Sequence, residues 1–414
     1  ADSLTTTNPS GTITPDAVDG TVTITASASV FSSGNVDQFI NVTNGFGRAR
    51  IVKFNSATEV EVIVEIPFFE ASAAIPNGDW ELETGYVDAW SNTRGWPRTC
   101  TFHESRLYFG GSASDPNTLF GSKVNDFFNF KAAEALDDDA ILVTLSTDSA
   151  NAINGIRSGR DLQIFTSGAE FFVPQADLDP ITPSNITIKS ATRRGSKVGL
   201  RPQSAEGGTL FIQRQGKALR EMLFSDVELS YVANNVSLLS SHMIVDPKRM
   251  ALRAATDTTE GDLLLIVNGT NTTGYRASST GFGGTITAFM LNRPQQIVAP
   301  SSFTTDGDFF DVGVDLDDIY VITKRTVSSA TKYYVELFDE DRTTDAAIQY
   351  YNSPASPDQA LPGSATAGSL SHLEGKTVKV IRDDIVDTDQ TVSSGQVTLG
   401  GTPTSYAEVG PDYT

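Results

Sequence analysis

The feature that most constrains this chain is a loose repeat of short apolar strands, each opened by a polar residue or a glycine. The five strands cover residues 106–110, 161–165, 208–212, 262–267 and 318–322. Their first apolar residues are Leu107, Leu162, Leu210, Leu263 and Ile319, so the successive spacings, by subtraction, are 55, 48, 53 and 56 residues. After a turn, a second strand follows each of them, over residues 118–122, 170–173, 218–224, 285–291 and 332–338. Each repeat is therefore at least a hairpin.

A period near 50 residues built from antiparallel strands is typical of the blades of a β-propeller. One thin sheet cannot bury both of its faces alone, and such sheets gain stability by stacking on neighbours around an axis. The sequence therefore predicts an all-β fold with a propeller-like core of about five visible blades. The alternative is a set of unrelated hairpins in a sandwich, with two stacked layers and no central hole.

Flanking segments predict smaller β modules on both sides of the propeller. Residues 1–90 contain several strands with alternating apolar side chains, among them 21–28 and 59–66, and predict a small β-barrel or sandwich. Trp80 and Trp90, at the end of that module, are expected to pack it against the next region of the chain. We place the propeller-like domain at residues 91–350 and the start of a C-terminal β-sandwich module, cut short at Thr414, at residues 351–414.

Composition excludes several classes of protein. Fifty-one acidic against thirty basic residues give a net charge of −21, which repels a phosphate backbone and argues against a protein that grips nucleic acid. No apolar run reaches the length of a membrane span. The single cysteine excludes an internal disulfide framework, and the three histidines form no zinc pattern.

The strong signatures of enzymes are also missing from the sequence. It contains no phosphate-binding Gly-rich loop ending in Lys and Ser or Thr, no Gly-x-Ser-x-Gly elbow and no His-Glu-x-x-His pair. A glycosidase needs only two carboxylates, which spacing cannot reveal. The acidic segment 306–318 resembles a calcium loop but lacks the closing Glu, and its Phe and Val residues alternate as in a strand, which favours a solvated hairpin. His103 and Glu104 precede a strand and predict local hydrogen bonding. We expect no catalytic residue, cofactor or metal.

Two charged clusters remain as candidate sites. Arg193, Arg194 and Lys197 form the one basic cluster of an acidic chain, and we expect them to contact an acidic partner subunit in preference to DNA. Three adjacent carboxylates, Asp137, Asp138 and Asp139, predict an exposed turn that could act as a repulsive acidic rim.

Residues 95–111, GWPRTCTFHESRLYFGG, followed by DPNTLFGS at 115–122 and NDFFNF at 125–130, resemble the opening blade of tail nozzle proteins of short-tailed phages. Further matches lie at 190–196, 334–345 and 373–378, so the resemblance covers roughly residues 80 to 410. It implies a structural virion protein of the tail: a hexameric ring subunit, beneath a portal and adaptor and beside tail fibre proteins, forming the conduit for DNA ejection. A negative surface suits that role, because each Lys or Arg contact to phosphate would retard passage.

Two other hypotheses stay open at the level of sequence. Exposed aromatic residues and clustered Asp residues are also compatible with a receptor- or glycan-binding propeller of a phage tail, with or without hydrolysis. A secreted bacterial β-scaffold is the third.

Overall fold

The computed structural model describes residues 6–43, 47–83, 89–130, 136–146, 151–174, 180–205, 207–256, 260–270, 283–339 and 341–412. The chain divides into two compact units, Ala1–Arg94 and Gly95–Thr414. Short 3₁₀ turns at Ser33–Asn35, Ser241–Met243 and Ser371–Leu373 interrupt an otherwise all-β structure.

The first unit is one curled, seven-stranded sheet. Its strands are β1 (Thr6–Thr7), β2 (Ile13–Pro15), β3 (Thr21–Ala26), β4 (Phe39–Val42), β5 (Arg48–Ser56), β6 (Glu59–Ile66) and β7 (Trp80–Glu83), in the order β1-β7-β4-β5-β6-β3-β2. Ile13 of β2 pairs with Ile75, just before β7, so the sheet curls towards closure as a small barrel.

Alternation explains the core of this unit. In β3, Val22 and Ile24 point inwards between exposed or half-buried threonines, as a half-buried strand requires. Trp80 is completely buried in the same core, and its indole N–H donates to the carbonyl of Gly11 at 2.9 Å. The expectation that Trp80 packs the module against the next region is therefore wrong, because its ring fills the interior of its own unit.

The second unit opens with five consecutive antiparallel sheets, which we call blades 1 to 5. Blade 1 contains β8 (Thr99–His103), β9 (Arg106–Gly110), β10 (Thr118–Gly121) and β11 (Ile141–Thr144); blade 2 contains β12 (Ile153–Ser158), β13 (Leu162–Thr166), β14 (Glu170–Val173) and β15 (Lys189–Thr192). Blade 3 contains β16 (Gln203–Ala205), β17 (Gly208–Ile212), β18 (Leu219–Ser225) and β19 (Ser230–Asn235); blade 4 contains β20 (Arg249–Arg253), β21 (Asp262–Val267), β22 (Ile286–Asn292) and β23 (Ile297–Phe303). Blade 5 contains β24 (Asp308–Asp315), β25 (Asp318–Val327) and β26 (Ala330–Phe338).

The predicted propeller-like, all-β fold is confirmed. The ten strands expected from the repeat are the second and third strands of the five blades. The first strands of several neighbouring blades meet: β12 contacts β8, and β20 contacts both β16 and β24, whereas blades 2 and 3 meet through their last strands, β15 and β19. The acidic segment 306–318 contains β24 and the turn into β25, as its alternation predicts.

Each pair of neighbouring blades shares its own apolar core because the middle strands are apolar on both faces. In β21, Leu264 and Ile266 enter the core between blades 3 and 4, whereas Leu265 and Val267 enter the core between blades 4 and 5. Two-residue periodicity sends adjacent side chains to opposite faces. A strand that lies between two neighbouring blades buries both of its faces, so adjacent residues must all be apolar, as they are over most of β21.

Blades 1 and 2 approach so closely that one position requires glycine. Gly111 has φ +79°, and a Cβ there would lie 2.1 Å from the carbonyl oxygen of Ile153. Any larger residue would both strain the backbone and separate the two sheets.

A buried amide fixes the end of β21. Asn268 follows the strand and is 1% exposed. Its Nδ2 donates to the carbonyl of Met243 and to the hydroxyl of Thr287, both at 2.9 Å. Its Oδ1 accepts from the backbone N–H of Val245 at 3.0 Å, so the amide joins the end of blade 4 to the segment entering it.

A further sheet follows the propeller within the same compact unit. Its strands are β27 (Ile348–Tyr351), β28 (Gln359–Ala360), β30 (Thr377–Arg382), β31 (Ile385–Val386) and β34 (Tyr406–Gly410), in the order β28-β27-β34-β30-β31, with β32 (Gln390–Thr391) pairing β30, and β29 (Thr366–Ala367) and β33 (Val397–Thr398) as a separate pair. We call this region the C-terminal sheet. Asp383 and Asp384, both with positive φ, form the turn after β30.

Candidate functional site

The predicted basic cluster divides into two environments. Arg193 and Arg194 are exposed just after β15. Lys197 is half-buried, and its ammonium lies 3.1 Å from the carboxylate of Asp246, an acceptor that it shares with Lys248. Burial alone would raise the pKa of Asp246, but these two lysines outweigh it and lower that pKa. Only Arg193 and Arg194 therefore keep the exposure that a partner contact requires.

The predicted acidic rim loses one of its three members. Asp137 and Asp138 are exposed, but Asp139 is 2% exposed and its carboxylate lies 2.7 Å from Nζ of Lys123. The backbone carbonyls of Asp137 and Asp139 also accept hydrogen bonds from the buried guanidinium of Arg106. Asp139 thus holds the loop in place, because a buried carboxylate needs a partner.

His103 and Glu104 make hydrogen bonds, as predicted, but the partners lie in distant parts of the chain and not nearby in sequence. Nδ1 of His103 lies 2.9 Å from the hydroxyl of Ser158 in blade 2, and burial lowers the pKa of the imidazole. The carboxylate of Glu104 accepts from the backbone N–H of Ile181 at 2.8 Å. Both side chains thus join blade 1 to the region of blade 2.

Blade 5 leaves one whole sheet face exposed, which we call the outer face of blade 5. Alternation along β26 places Tyr333, Val335 and Leu337 on it, and Val335 is 73% exposed. The strand register puts Tyr320 opposite Leu337. Phe310, beside the bulge in β24, joins them with its ring 5.5 Å from that of Tyr333. An exposed apolar surface of this kind marks an interaction site.

Blade 1 has a comparable outer face at the other end of the stack. The register aligns Phe109, Phe120 and Leu142 across three strands, and Phe102 of β8 lies on the same face. Phe102 and Leu142 are 60% and 50% exposed. The loop after β10 covers part of this face, with the ring of Phe127 at 5.1 Å from that of Phe102.

A cleft of about 820 Å³ lies between blades 4 and 5 and the C-terminal sheet. Aromatic rings form much of its wall. Phe303 from the end of β23 meets Phe338 at 4.8 Å between ring centroids, and Tyr334 meets His372 at 6.4 Å, both with nearly perpendicular planes. Nε2 of His372 is 3.0 Å from the carbonyl of Ala346, so this nitrogen carries the hydrogen and donates. The volume is typical of a site for a small organic ligand.

A buried arginine holds the two sides of the cleft together. Arg325 is 1% exposed at its side chain. Its guanidinium donates to both oxygens of Glu336 at 3.0 and 2.9 Å, to both oxygens of Asp345 at 3.0 and 3.1 Å, and to the carbonyl of Asp306 at 2.9 Å. All five of its N–H groups are thereby used.

These pairs determine the protonation of the cleft wall. Burial alone would raise the pKa of Asp345, but the hydrogen bonds from Arg325, the backbone N–H of Asp306 and the hydroxyl of Thr305 outweigh it and lower that pKa. Asp358 behaves alike, because Arg342 binds it through two N–H groups at 2.9 Å each. Both carboxyl groups are ionised at neutral pH.

Sequence reasoning missed this cleft. Its residues come from positions 303 to 372, in three different sheets, and no short motif joins them. The available signal was the alternation of Tyr334, Glu336 and Phe338 on one face of a strand whose opposite face is apolar. No group of His, Cys, Asp and Glu in the described ranges could hold a metal ion. Within those ranges no helix is long and apolar enough to cross a membrane.

No protein-family model matches the chain, and no curated protein matches it. Among solved structures, a protein from Lactobacillus plantarum is 9% identical over 80% of this chain and 99% of that chain, with a TM-score of 0.32. The N-terminal domain of Nup159 is 9% identical over 73% of this chain and 76% of that chain, with a TM-score of 0.31. The endosialidase of phage phi92 is 10% identical over 87% of this chain and 55% of that chain, with a TM-score of 0.26. Similarities this remote carry no argument about what the chain does.

Proposed function

We propose that this chain is a non-enzymatic structural subunit of the tail of a short-tailed phage, in a nozzle or hub ring through which DNA leaves the particle. The proposal starts from the resemblance of residues 95–130 to the opening blade of tail nozzle proteins. Those residues form β8, β9, β10 and the loop that partly covers the outer face of blade 1. By the same resemblance its partners are a portal and adaptor, tail fibre proteins and further copies of itself.

The observation that carries the proposal is the pair of exposed outer faces on blades 1 and 5. Between every two neighbouring blades the chain buries faces of this apolar kind. A second copy could bury the outer face of blade 5 under its own blade 1. Such a head-to-tail contact uses two different surfaces, and its repetition closes a ring when the rotation allows it.

The charge of the chain is compatible with a conduit for DNA. A net charge of −21 repels the phosphate backbone, so a surface of this protein would let DNA pass without retaining it.

Sedimentation and native mass of the purified chain test the ring. We expect a sixfold assembly for the wild type and a lower mass for Val335→Lys, which puts a charge into the proposed contact. Val227→Lys is the matched control, because Val227 is 95% exposed in the turn between β18 and β19. A monomeric wild type, equal assembly by both variants, or virion density that places the chain outside the tail would overturn the proposal.

The second candidate function is that of a receptor- or glycan-binding propeller of a phage tail. The aromatic cleft beside blade 5 is the observation that favours it.

A further inference from the structure

We propose that the cleft between blades 4 and 5 and the C-terminal sheet binds a neutral oligosaccharide. This inference deepens the second candidate function and rests on it.

The first argument is the arrangement of the rings. Tyr334 and Phe338 lie four residues apart on one face of β26, which places their Cα atoms about 13 Å apart along the strand. Phe303 extends this surface beside Phe338. The C–H face of a pyranose is apolar and stacks on aromatic rings, whereas its hydroxyls need polar partners. Rings spaced along an open cleft therefore suit a chain of more than one sugar better than a compact ligand.

The second argument is the charge around the cleft. Glu336 and Asp345 share Arg325, and two more carboxylates, those of Asp339 and Asp358, share Arg342. Four carboxylates and two guanidinium groups leave an excess of negative charge. Acidic sugars are repelled by this excess, whereas neutral hydroxyl groups can hydrogen-bond to carboxylates.

The third argument concerns what the site does to its ligand. A glycosidase needs a carboxylic acid whose raised pKa keeps it protonated near neutral pH. Here the contacts of Asp345 lower its pKa, and both of its oxygens already accept from Arg325. We therefore expect binding without cleavage of the glycosidic bond.

A printed array of neutral and acidic bacterial oligosaccharides, followed by calorimetry with each neutral sugar that binds, tests the site. Adjacent residues of β26 provide the matched pair of variants: Tyr334→Ala removes a ring from the cleft, and Tyr333→Ala removes one from the outer face of blade 5. We expect Tyr334→Ala to weaken binding at least about tenfold, the usual cost of losing a central aromatic contact. Tyr333→Ala and Tyr334→Phe should bind within about threefold of the wild type.

Several outcomes would overturn the proposal. They are an array with no neutral ligand, signals confined to acidic sugars, or equal loss of binding by Tyr333→Ala and Tyr334→Ala. Tyr334→Phe keeps the ring and is the control for Tyr334→Ala. If Tyr334→Ala binds more weakly than Tyr334→Phe but unfolds at a similar temperature, the lost binding comes from the lost ring contact and not from a lost fold. Shorter sugars detected by mass spectrometry after incubation would refute binding without cleavage. The native mass of the same samples shows separately whether the ring forms.

Discussion

Replacing Arg325 by Met should destabilise the second unit by about 3 kcal/mol. Removing one partner of a buried ion pair costs about 3–5 kcal/mol, because the remaining charge is left without compensation. The structure favours the lower end of this range. Glu336 keeps a hydrogen bond from Thr323 at 2.8 Å, and Asp345 keeps those from Thr305 at 2.8 Å and from the backbone of Asp306 at 3.0 Å.

Hydrogen exchange read by mass spectrometry measures the effect in each region separately. A loss of about 3 kcal/mol raises the equilibrium constant for opening by about a hundredfold, and amide exchange becomes faster by the same factor. We expect this increase in β25, β26 and the C-terminal sheet. Strands β3 and β6 belong to the other compact unit and provide an internal control. Adding Glu336→Gln and Asp345→Asn to the variant removes the uncompensated charges and should restore at least half of the loss. Protection that does not change in Arg325→Met, or a triple variant no more stable than the single one, would refute the reasoning.

The effect of this substitution should also depend on pH in a defined direction. In the folded wild type the pKa of Asp345 lies below its ordinary value, so its ionisation stabilises the fold above the unfolded pKa, about 4. That stabilisation is lost as the pH falls through the folded pKa. In Arg325→Met the carboxyl group of Asp345 loses its cation and protonates more readily. The difference between the two proteins should therefore shrink below about pH 4.

Two further predictions test the blades. Gly111→Ala should destabilise the second unit by at least about 2 kcal/mol, because the new Cβ meets the Ile153 carbonyl and the backbone has a positive φ. Thermal unfolding measures this loss. The control is Gly199→Ala, where φ is +83° but no atom lies within 4 Å of the new Cβ. Asp139→Asn should lower the free energy of unfolding by about 1–3 kcal/mol, because the pairing with Lys123 is lost. Asp138 is exposed, so Asp138→Asn should change it by less than about 0.5 kcal/mol. Urea denaturation measures both.

The central strands of the blades were predictable because their signal is local. Strands such as β17 and β21 are short apolar runs bounded by turns, which suffices to identify a buried strand. The flanking strands give weaker patterns. For example, β12 includes Gly155, and a Cβ at this position would lie 2.7 Å from the ring of Pro202, which immediately precedes blade 3. Contacts of this kind depend on distant residues and leave no local pattern.

The candidate cleft was not predictable for a related reason. The alternation of Tyr334, Glu336 and Phe338 predicts that the three share a face, but only the position of the C-terminal sheet makes that face a cleft. Likewise, three consecutive aspartates look equivalent in sequence, and the fold alone buries Asp139 beside Lys123 while its neighbours meet solvent.

The buried amide at the end of β21 has a consequence for how that strand finds its alignment. A strand that is apolar on both faces can slip by one residue and still bury apolar side chains, so hydrophobicity alone does not choose among alignments. A slip of one residue would carry Asn268 about 3.4 Å from its partners. The amide of Asn268 and the N–H of Val245 would then be buried without hydrogen bonds, at about 1–3 kcal/mol for each group. One polar residue thus selects a single pairing for a strand whose other side chains would accept several.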